Sequence, residues 1–142
     1  MKMLVVSDSH MYNDILEHIT NKWKNKVDLL VHCGDSSLLP DDPLLKDYDI
    51  VVHGNHDEEV FPHYVVYKDI FVTHGNDYHV YTGYDELIQA CKDGSLTVVS
   101  NFSLTKSLKT LIISMLLSFF IVKFAKINVL IRANVCYNGH RR

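Results

Sequence analysis

With 142 residues, the chain has the length of one domain with a single hydrophobic core. Its composition, 47% hydrophobic and 22% charged with a formal net charge of −3, is typical of a globular protein and points to neither a nucleic-acid-binding nor a membrane-embedded class. The three cysteines (Cys33, Cys91 and Cys136) are odd in number and widely spaced, which excludes a disulfide framework and a Cys-x-x-Cys metal pair and favours a reducing compartment.

The first part of the chain predicts alternating strands and helices. Residues 3–6 form an apolar run typical of a buried strand, and the apolar residues within 15–23 then fall at helical spacing. Residues 28–32 and 50–52 predict two further strands, with a loop or short helix over residues 38–49 between them. This order predicts right-handed crossover units and a mostly parallel sheet.

The remaining elements are predicted from apolar patterns and from the turn and helix-start residues between them. Residues 65–67 and 70–73 predict a hairpin with a two-residue turn. A second helix is expected over residues 82–91 and one more strand over residues 96–99. Residues 111–122 carry no charge but are too few to span a bilayer, so they favour a buried helix or a pair of strands.

Four of the predicted strands end in clusters of polar side chains. The clusters are Asp8-Ser9-His10, Gly34-Asp35, Gly54-Asn55-His56-Asp57 and His74-Gly75-Asn76. Ligand sites in open α/β sheets lie outside the carboxyl ends of the strands, so these side chains are expected to meet in one cleft. Phosphate esters repel anionic nucleophiles, and two metal ions roughly 3.5 to 4 Å apart overcome that repulsion and activate a water. The clusters therefore predict one cleft lined with metal-ligand side chains, of the residue types that such a two-metal site needs.

The four motifs, in this order, resemble those of the calcineurin-like metallophosphoesterase superfamily, and most closely its small bacterial phosphodiesterases. The resemblance covers about residues 3–92. It implies an α/β fold, a metallophosphoesterase-like sheet sandwich flanked by helices. It also implies a hydrolase that acts on a small phosphodiester or phosphomonoester.

The resemblance further assigns metal ligands to five positions. It implies that Asp8 and His10 bind the first ion, that Asp35 bridges both ions, and that Asn55 and His74 bind the second. The implied cofactors are two divalent metal ions, with Mn²⁺ favoured and Fe, Zn²⁺ or Ni²⁺ as alternatives.

Two further residues of the third motif receive roles by the same resemblance. His56 is expected to stabilise charge on the phosphate or to protonate the leaving oxygen as a general acid. Asp57 is expected to orient the side chain of His56 as a supporting carboxylate that does not itself bind a metal ion. The glycines before Asp35 and Asn55 are expected to allow tight backbone turns that aim those side chains at the cleft.

The charge distribution divides the chain after residue 93. Residues 1–93 contain all 17 acidic side chains and seven lysines, whereas residues 94–142 contain seven basic side chains and no acidic one, giving formal charges of −10 and +7. We therefore predict a metallophosphoesterase core over residues 1–93 and a divergent basic, apolar tail over residues 94–142. Because the core is acidic, long nucleic acid is not expected as a substrate.

The superfamily completes its site with a Gly-His-x-His motif, expected here near residues 100–105. The chain reads Ser-Asn-Phe-Ser-Leu over residues 100–104, so neither histidine is present and the fold is expected to be incomplete at its C-terminal end. A truncation, frameshift or replaced tail after about residue 93 is our hypothesis for this departure. His140, which follows Gly139, is the one later residue able to supply a missing ligand.

Two other function classes remain open beside the enzyme. Without the two histidines, the chain could be a catalytically impaired phosphoesterase-like binding or scaffold protein, of which the superfamily holds one case in a retromer subunit. Residues 111–122 could instead contact lipid, although a membrane role is not favoured. Asp8 leaves no room for the apolar region of a signal peptide, so a cytoplasmic protein is expected.

The remaining histidines before residue 80 are predicted to have ordinary structural roles. His18 is expected on the exposed face of the first helix, and His32 within the packing of a strand. His53 is expected as a strand residue next to the site. His63 and His79 flank loops and could line the cleft, but ordinary roles are expected for both.

Overall fold

The structure, a computed structural model, describes residues 1–68, 70–83 and 85–91 in full, together with the backbone of residues 97–99, 122–123 and 128–134. Within these ranges the elements run in chain order as β1 (Lys2–Ser7), α1 (Asn13–Trp23), β2 (Leu29–His32), β3 (Ile50–Val51), β4 (Tyr64–Tyr67), β5 (Ile70–Thr73), α2 (Asp85–Ala90), β6 (Thr97–Val99), β7 (Val122–Lys123) and β8 (Asn128–Asn134). Two 3-10 turns, Pro43–Leu45 and Asn76–Tyr78, lie in the loops.

Among the described residues, the larger sheet has five strands in the order β3-β2-β1-β8-β7. Strand β1 pairs in parallel with β2 on one side and with β8 on the other, and β2 pairs in parallel with β3. Strand β7 runs antiparallel to β8. The predicted mostly parallel sheet is thus confirmed, and β1 at its centre is buried along residues 3–7, which explains its unbroken apolar run.

Side chains of this sheet alternate between two buried clusters. Met3, Val5 and Val31 face one way and pack with Ile70 and Val72 of the smaller sheet. The intervening side chains face the other way and pack against α1 and the loops, in a cluster made of Leu4, Val6, Leu16, Leu30, Leu38, Leu45, Tyr48 and Phe61. The fold is therefore an α/β sandwich of two sheets with helical cover, as the resemblance implied.

The smaller sheet has the order β4-β5-β6. Strands β4 and β5 form the predicted hairpin, with Tyr67 opposite Ile70 and Lys68 in the left-handed region at φ 55°. Strand β6 adds in parallel to β5, with Val99 opposite Val72. The carboxyl end of β5 lies close to that of β2, because Nδ1 of His74, which follows β5, is 2.7 Å from the carbonyl oxygen of Cys33, which follows β2.

Two details of the sequence predictions differ from the structure or lie beyond it. On α1, Leu16 is buried and Ile19 and Trp23 pack against the same cluster, as their spacing predicts, whereas Ile15 is 39% exposed and Thr20 joins the buried face. Most of residues 94–142 lie outside the described residues, and the division of the chain at residue 93 stays a prediction. In the part of the chain that the structure describes, no helix combines the length and apolarity needed to cross a membrane.

Candidate metal centre

The loops after β1 and β2 are bonded to each other through their backbones. The Asp8 amide donates to the Gly34 carbonyl at 3.0 Å, and the His10 amide donates to the Asp35 carbonyl at 3.0 Å. Asp8, His10 and Asp35 adopt left-handed conformations at φ 55°, 42° and 58°, which cost free energy for non-glycine residues. Strained residues of this kind collect where a fold positions functional side chains.

Two glycines allow a close approach between the loops after β2 and β3. Gly34 has φ +91°, as the predicted tight turn requires. Gly54 does not have a positive φ, which corrects the expectation of a similar turn at that position. Its role is steric, because a Cβ there would collide with the backbone nitrogen and carboxylate of Asp35. The two motifs are therefore packed directly against each other.

Three of the predicted ligands converge at the site expected for the first metal ion. One ligand atom from each of Asp8, His10 and Asp35 lies within 4.8 Å of the others. His10 Nε2 is 3.7 Å from Asp35 Oδ2, and the Asp35 side chain is 4% exposed whereas that of His10 is 32% exposed. The group thus opens to solvent on the histidine side and is closed behind the carboxylate.

The second predicted group also comes together around Asp35. His74 Nδ1 lies 2.7 Å from the Cys33 carbonyl oxygen, an acceptor, so Nδ1 carries the proton and donates. His74 Nε2 lies 3.2 Å from Asn55 Oδ1 and 3.6 Å from Asp35 Oδ2. A neutral His74 with its proton on Nδ1 would present an Nε2 lone pair beside these two oxygens, a donor set of imidazole, amide and carboxylate that fits a divalent ion.

His56 lies at the open side of this constellation. Its backbone amide donates to Asp35 Oδ1 at 2.8 Å, which anchors the residue beside the bridging candidate. Its ring meets that of His10 edge to face at a centroid distance of 5.1 Å, and the residue is exposed. The imidazole can therefore reach a substrate in the cleft and exchange protons with solvent.

Asp57 does not orient His56, which makes that sequence-based expectation wrong. Its Oδ2 accepts from the amides of Asp35 at 2.7 Å and Gly54 at 3.0 Å. Its Oδ1 accepts from the Ser37 amide at 2.7 Å and the Ser36 hydroxyl at 3.1 Å. Asp57 therefore acts as a clamp on the loop that carries Asp35, because its two oxygens are occupied by that loop and by Gly54.

His32 lies fully buried in β2, as predicted for a strand residue, with Nε2 3.0 Å from Ser9 Oγ. Burial lowers the pKa of His32 from 6.5 to about 4. The folded protein thus holds His32 neutral while the unfolded chain binds a proton below about pH 6.5. Folding stability is consequently lost as the pH falls from about 6.5 towards 4.

Because His32 stays neutral in the fold, we expect the free energy of unfolding to fall by about 3 kcal/mol as the pH is lowered from about 6.5 to about 4. Urea unfolding of the wild type and of His32→Gln at several pH values measures it, since the variant should lose less stability on acidification. His18→Gln is the matched control, because His18 is exposed on α1. Equal pH dependence in the wild type and His32→Gln would contradict the assignment.

Two of the histidines that were expected to have ordinary structural roles contact each other. His18 is exposed, and His79 is an exposed partner of Glu86 at 2.9 Å, as an ordinary role implies. His53 and His63, in contrast, meet with ring centroids 4.8 Å apart. Their ten-residue separation along the chain gave no motif, so their pairing could not be read from the sequence. The Gly-His-x-His position and His140 lie outside the described residues.

Comparison with known proteins decides the family of this chain. The family description of the calcineurin-like phosphoesterase superfamily domain matches residues 1–101, about two thirds of the chain. The chain belongs to this superfamily. The side chains that converge after β1, β2, β3 and β5 agree with this membership.

Two known proteins resemble this chain over different lengths. The chain is 44% identical over 57 residues to the probable metallophosphoesterase YsnB of Bacillus subtilis (strain 168), a match that covers 40% of this chain and 33% of that protein. The matched segment thus spans about a third of the length of this curated relative. The crystal structure of a conserved uncharacterised protein, a predicted phosphoesterase from Streptococcus pneumoniae TIGR4, matches with a TM-score of 0.64 and 26% identity over 93% of this chain and 71% of that one.

Proposed function

We propose that this metallophosphoesterase hydrolyses a small phosphodiester, or a phosphomonoester, with two divalent ions at the candidate metal centre. The observation that carries the proposal is the position of Asp35, whose Oδ2 lies 3.7 Å from His10 Nε2 and 3.6 Å from His74 Nε2. A carboxylate placed between two histidine-containing ligand groups is suited to bridge two cations. Asp8 and His10 would complete one group, and Asn55 and His74 the other.

Bound divalent ions would neutralise phosphate charge and lower the pKa of the attacking water. Mn²⁺ is the proposed metal, with Fe, Zn²⁺ and Ni²⁺ as alternatives, because the ligands mix imidazole nitrogen with carboxylate and amide oxygen. The buried carboxylate of Asp35 and the hydrogen bond from His74 Nδ1 to Cys33 hold the ligand atoms in fixed directions.

His56 is the proposed proton donor to the leaving oxygen. Its exposed ring stands beside His10 at the open side of the cleft, while its backbone is anchored to Asp35 Oδ1 at 2.8 Å. A positioned imidazole of this kind contributes typically about 10² to 10⁴ in rate. Because the backbone amide of His56, and not its ring, makes the hydrogen bond to Asp35, the ring is available to act on a substrate.

The charge of the core favours a small substrate. Residues 1–93 carry a formal charge of −10, and this field repels a long polyanion more strongly than a single phosphate ester. We therefore propose a small phosphodiester over nucleic acid. The three cysteines and the absence of disulfides among the described residues favour a reducing, cytoplasmic setting for this activity.

A second candidate function rests on one sequence observation. Residues 100–104 read Ser-Asn-Phe-Ser-Leu where the superfamily has its Gly-His-x-His motif, so each ion lacks one expected imidazole. The alternative is a catalytically impaired binding or scaffold protein that keeps the fold. The two candidates differ in the metal content and turnover of the purified chain.

Metal content by mass spectrometry and Mn²⁺-dependent hydrolysis of bis(p-nitrophenyl) phosphate test the proposal. We expect two Mn²⁺ ions per chain and a Mn²⁺-stimulated turnover that His56→Ala lowers by about 10² to 10⁴. His18→Ala, a remote exposed histidine on α1, is the matched control and should retain full turnover. A folded protein that binds no divalent ion and shows no metal-stimulated turnover would support the scaffold function instead.

A further inference from the structure

A second cluster of metal-ligand side chains lies on the loops beside the candidate metal centre. His53 follows β3, His63 immediately precedes β4, and Asp77 lies in the 3-10 turn after β5. One ring nitrogen of each histidine and one carboxylate oxygen of Asp77 lie within 4.8 Å of one another. The cluster contains none of the five ligands proposed for the phosphoesterase site.

His53 is a buried imidazole with unused capacity for an interaction. The residue is 6% exposed, and its Nδ1 has no hydrogen-bond partner among the residues that the structure describes. Its Nε2 lies 3.9 Å from Glu59 Oε1, beyond hydrogen-bond distance. A buried polar atom without a partner costs free energy, and such atoms in a native structure commonly indicate an ion or water.

His63 is held firmly at the same place. Its Nδ1 lies 2.6 Å from Asp77 Oδ2 and its Nε2 lies 3.2 Å from Glu59 Oε2. The Thr73 hydroxyl donates to the His63 carbonyl at 3.1 Å, which ties this residue to the end of β5. The His53 amide donates to the carbonyl of Pro62 at 2.8 Å, which ties the same loop to the end of β3.

We propose that His53, His63 and Asp77 bind a divalent transition metal ion of the zinc class, with Glu59 as the fourth ligand. Two imidazoles and two carboxylates form a donor set that suits Zn²⁺ better than Mg²⁺ or Ca²⁺, which prefer all-oxygen sites. The Glu59 side chain is 77% exposed and is free to turn towards an ion between the two rings.

His63 lies between two carboxylates. The hydrogen bond with Asp77 is the largest cause that raises the pKa of His63 above 6.5; desolvation opposes it, and the charges of Asp77 and Glu59 add to the rise. Protons therefore compete with the metal, and metal affinity is expected to rise with pH. A bound ion would replace this proton and join the loop before β4 to the turn after β5.

Zinc titration of the full-length Asp35→Asn variant tests this site apart from the phosphoesterase centre. Isothermal titration calorimetry is expected to show a saturable event that His53→Gln or His63→Gln, added to that variant, weakens by about 10-fold to 100-fold. His79→Gln is the matched control: His79 also pairs with a carboxylate, Glu86 at 2.9 Å, but lies in neither three-residue ligand group of the described residues.

A second measurement uses the wild-type protein. Anomalous diffraction from zinc-soaked crystals is expected to show a peak between His53 and His63, separate from any peak at Asp35. This map decides the question even if the Asp35→Asn variant fails to fold. Zinc affinity that neither His53→Gln nor His63→Gln changes, or anomalous density confined to the phosphoesterase centre, would overturn the proposal.

Discussion

Replacing Asp35 by asparagine is expected to lower metal-dependent phosphoesterase turnover by about a thousandfold or more. The asparagine keeps an oxygen able to accept the His56 amide, which Asp35 Oδ1 now accepts at 2.8 Å. It loses the negative charge and the second oxygen, which faces His10 and His74 at 3.7 and 3.6 Å. The protein should bind both ions more weakly, because Asp35 is the ligand that the two ions would share.

The measurement compares hydrolysis of bis(p-nitrophenyl) phosphate and metal content in the wild type, Asp35→Asn and Asp41→Asn. Asp41 is an exposed loop carboxylate, so its substitution makes the same charge change away from the centre and should leave both quantities unchanged. Circular dichroism checks that Asp35→Asn remains folded. A folded Asp35→Asn protein with two bound ions and wild-type turnover would exclude a bridging role.

Replacing Asp57 by alanine is expected to destabilise the fold by about 3 to 5 kcal/mol. The substitution leaves three backbone amides and the Ser36 hydroxyl without the carboxylate that accepts their hydrogen bonds. Hydrogen bonds to a charged, partly buried group are stronger than neutral ones, and their donors lose access to water in this loop.

Urea denaturation measures this change, with Asp42→Ala as the matched control. Asp42 accepts one hydrogen bond, from the Leu44 amide at 2.9 Å, at the start of the 3-10 turn. Its replacement should cost about 1 kcal/mol. If Asp57→Ala instead retains wild-type stability and loses only turnover, the role of Asp57 is to orient His56, as the sequence motif suggested.

Local patterns were sufficient to predict most of the elements. Three elements are determined by residues that are neighbours in the chain: the apolar strands β1 and β2 and the two-residue hairpin turn before β5. Their positions could therefore be predicted from the sequence. The convergence of Asp8 and Asp35 followed from one topological rule, that parallel strands present their carboxyl ends at one edge.

Contacts set by loop conformation were not predictable in the same way. The Ser37 amide meets Asp57 where the backbone of the loop after β2 adopts a conformation that non-glycine residues seldom adopt, with φ 58° at both Asp35 and Ser37. The meeting of His53 with His63 likewise depends on the path of an irregular loop. The pairing of β8 with β1, in which Asn134 lies opposite Ser7, joins segments far apart in the chain and carries no local signal.

The clamp formed by Asp57 has a consequence for the thermodynamics of metal uptake. The amides of Asp35, Ser37 and Gly54 are held by this carboxylate, and the His56 amide is held by Asp35, in hydrogen bonds that involve protein groups alone. The ligand frame is therefore preorganised, and ion binding does not have to supply the free energy for ordering these loops. Differences in affinity among Mn²⁺, Zn²⁺ and Ni²⁺ should then reflect the coordination preferences of each ion rather than the folding of the protein around it.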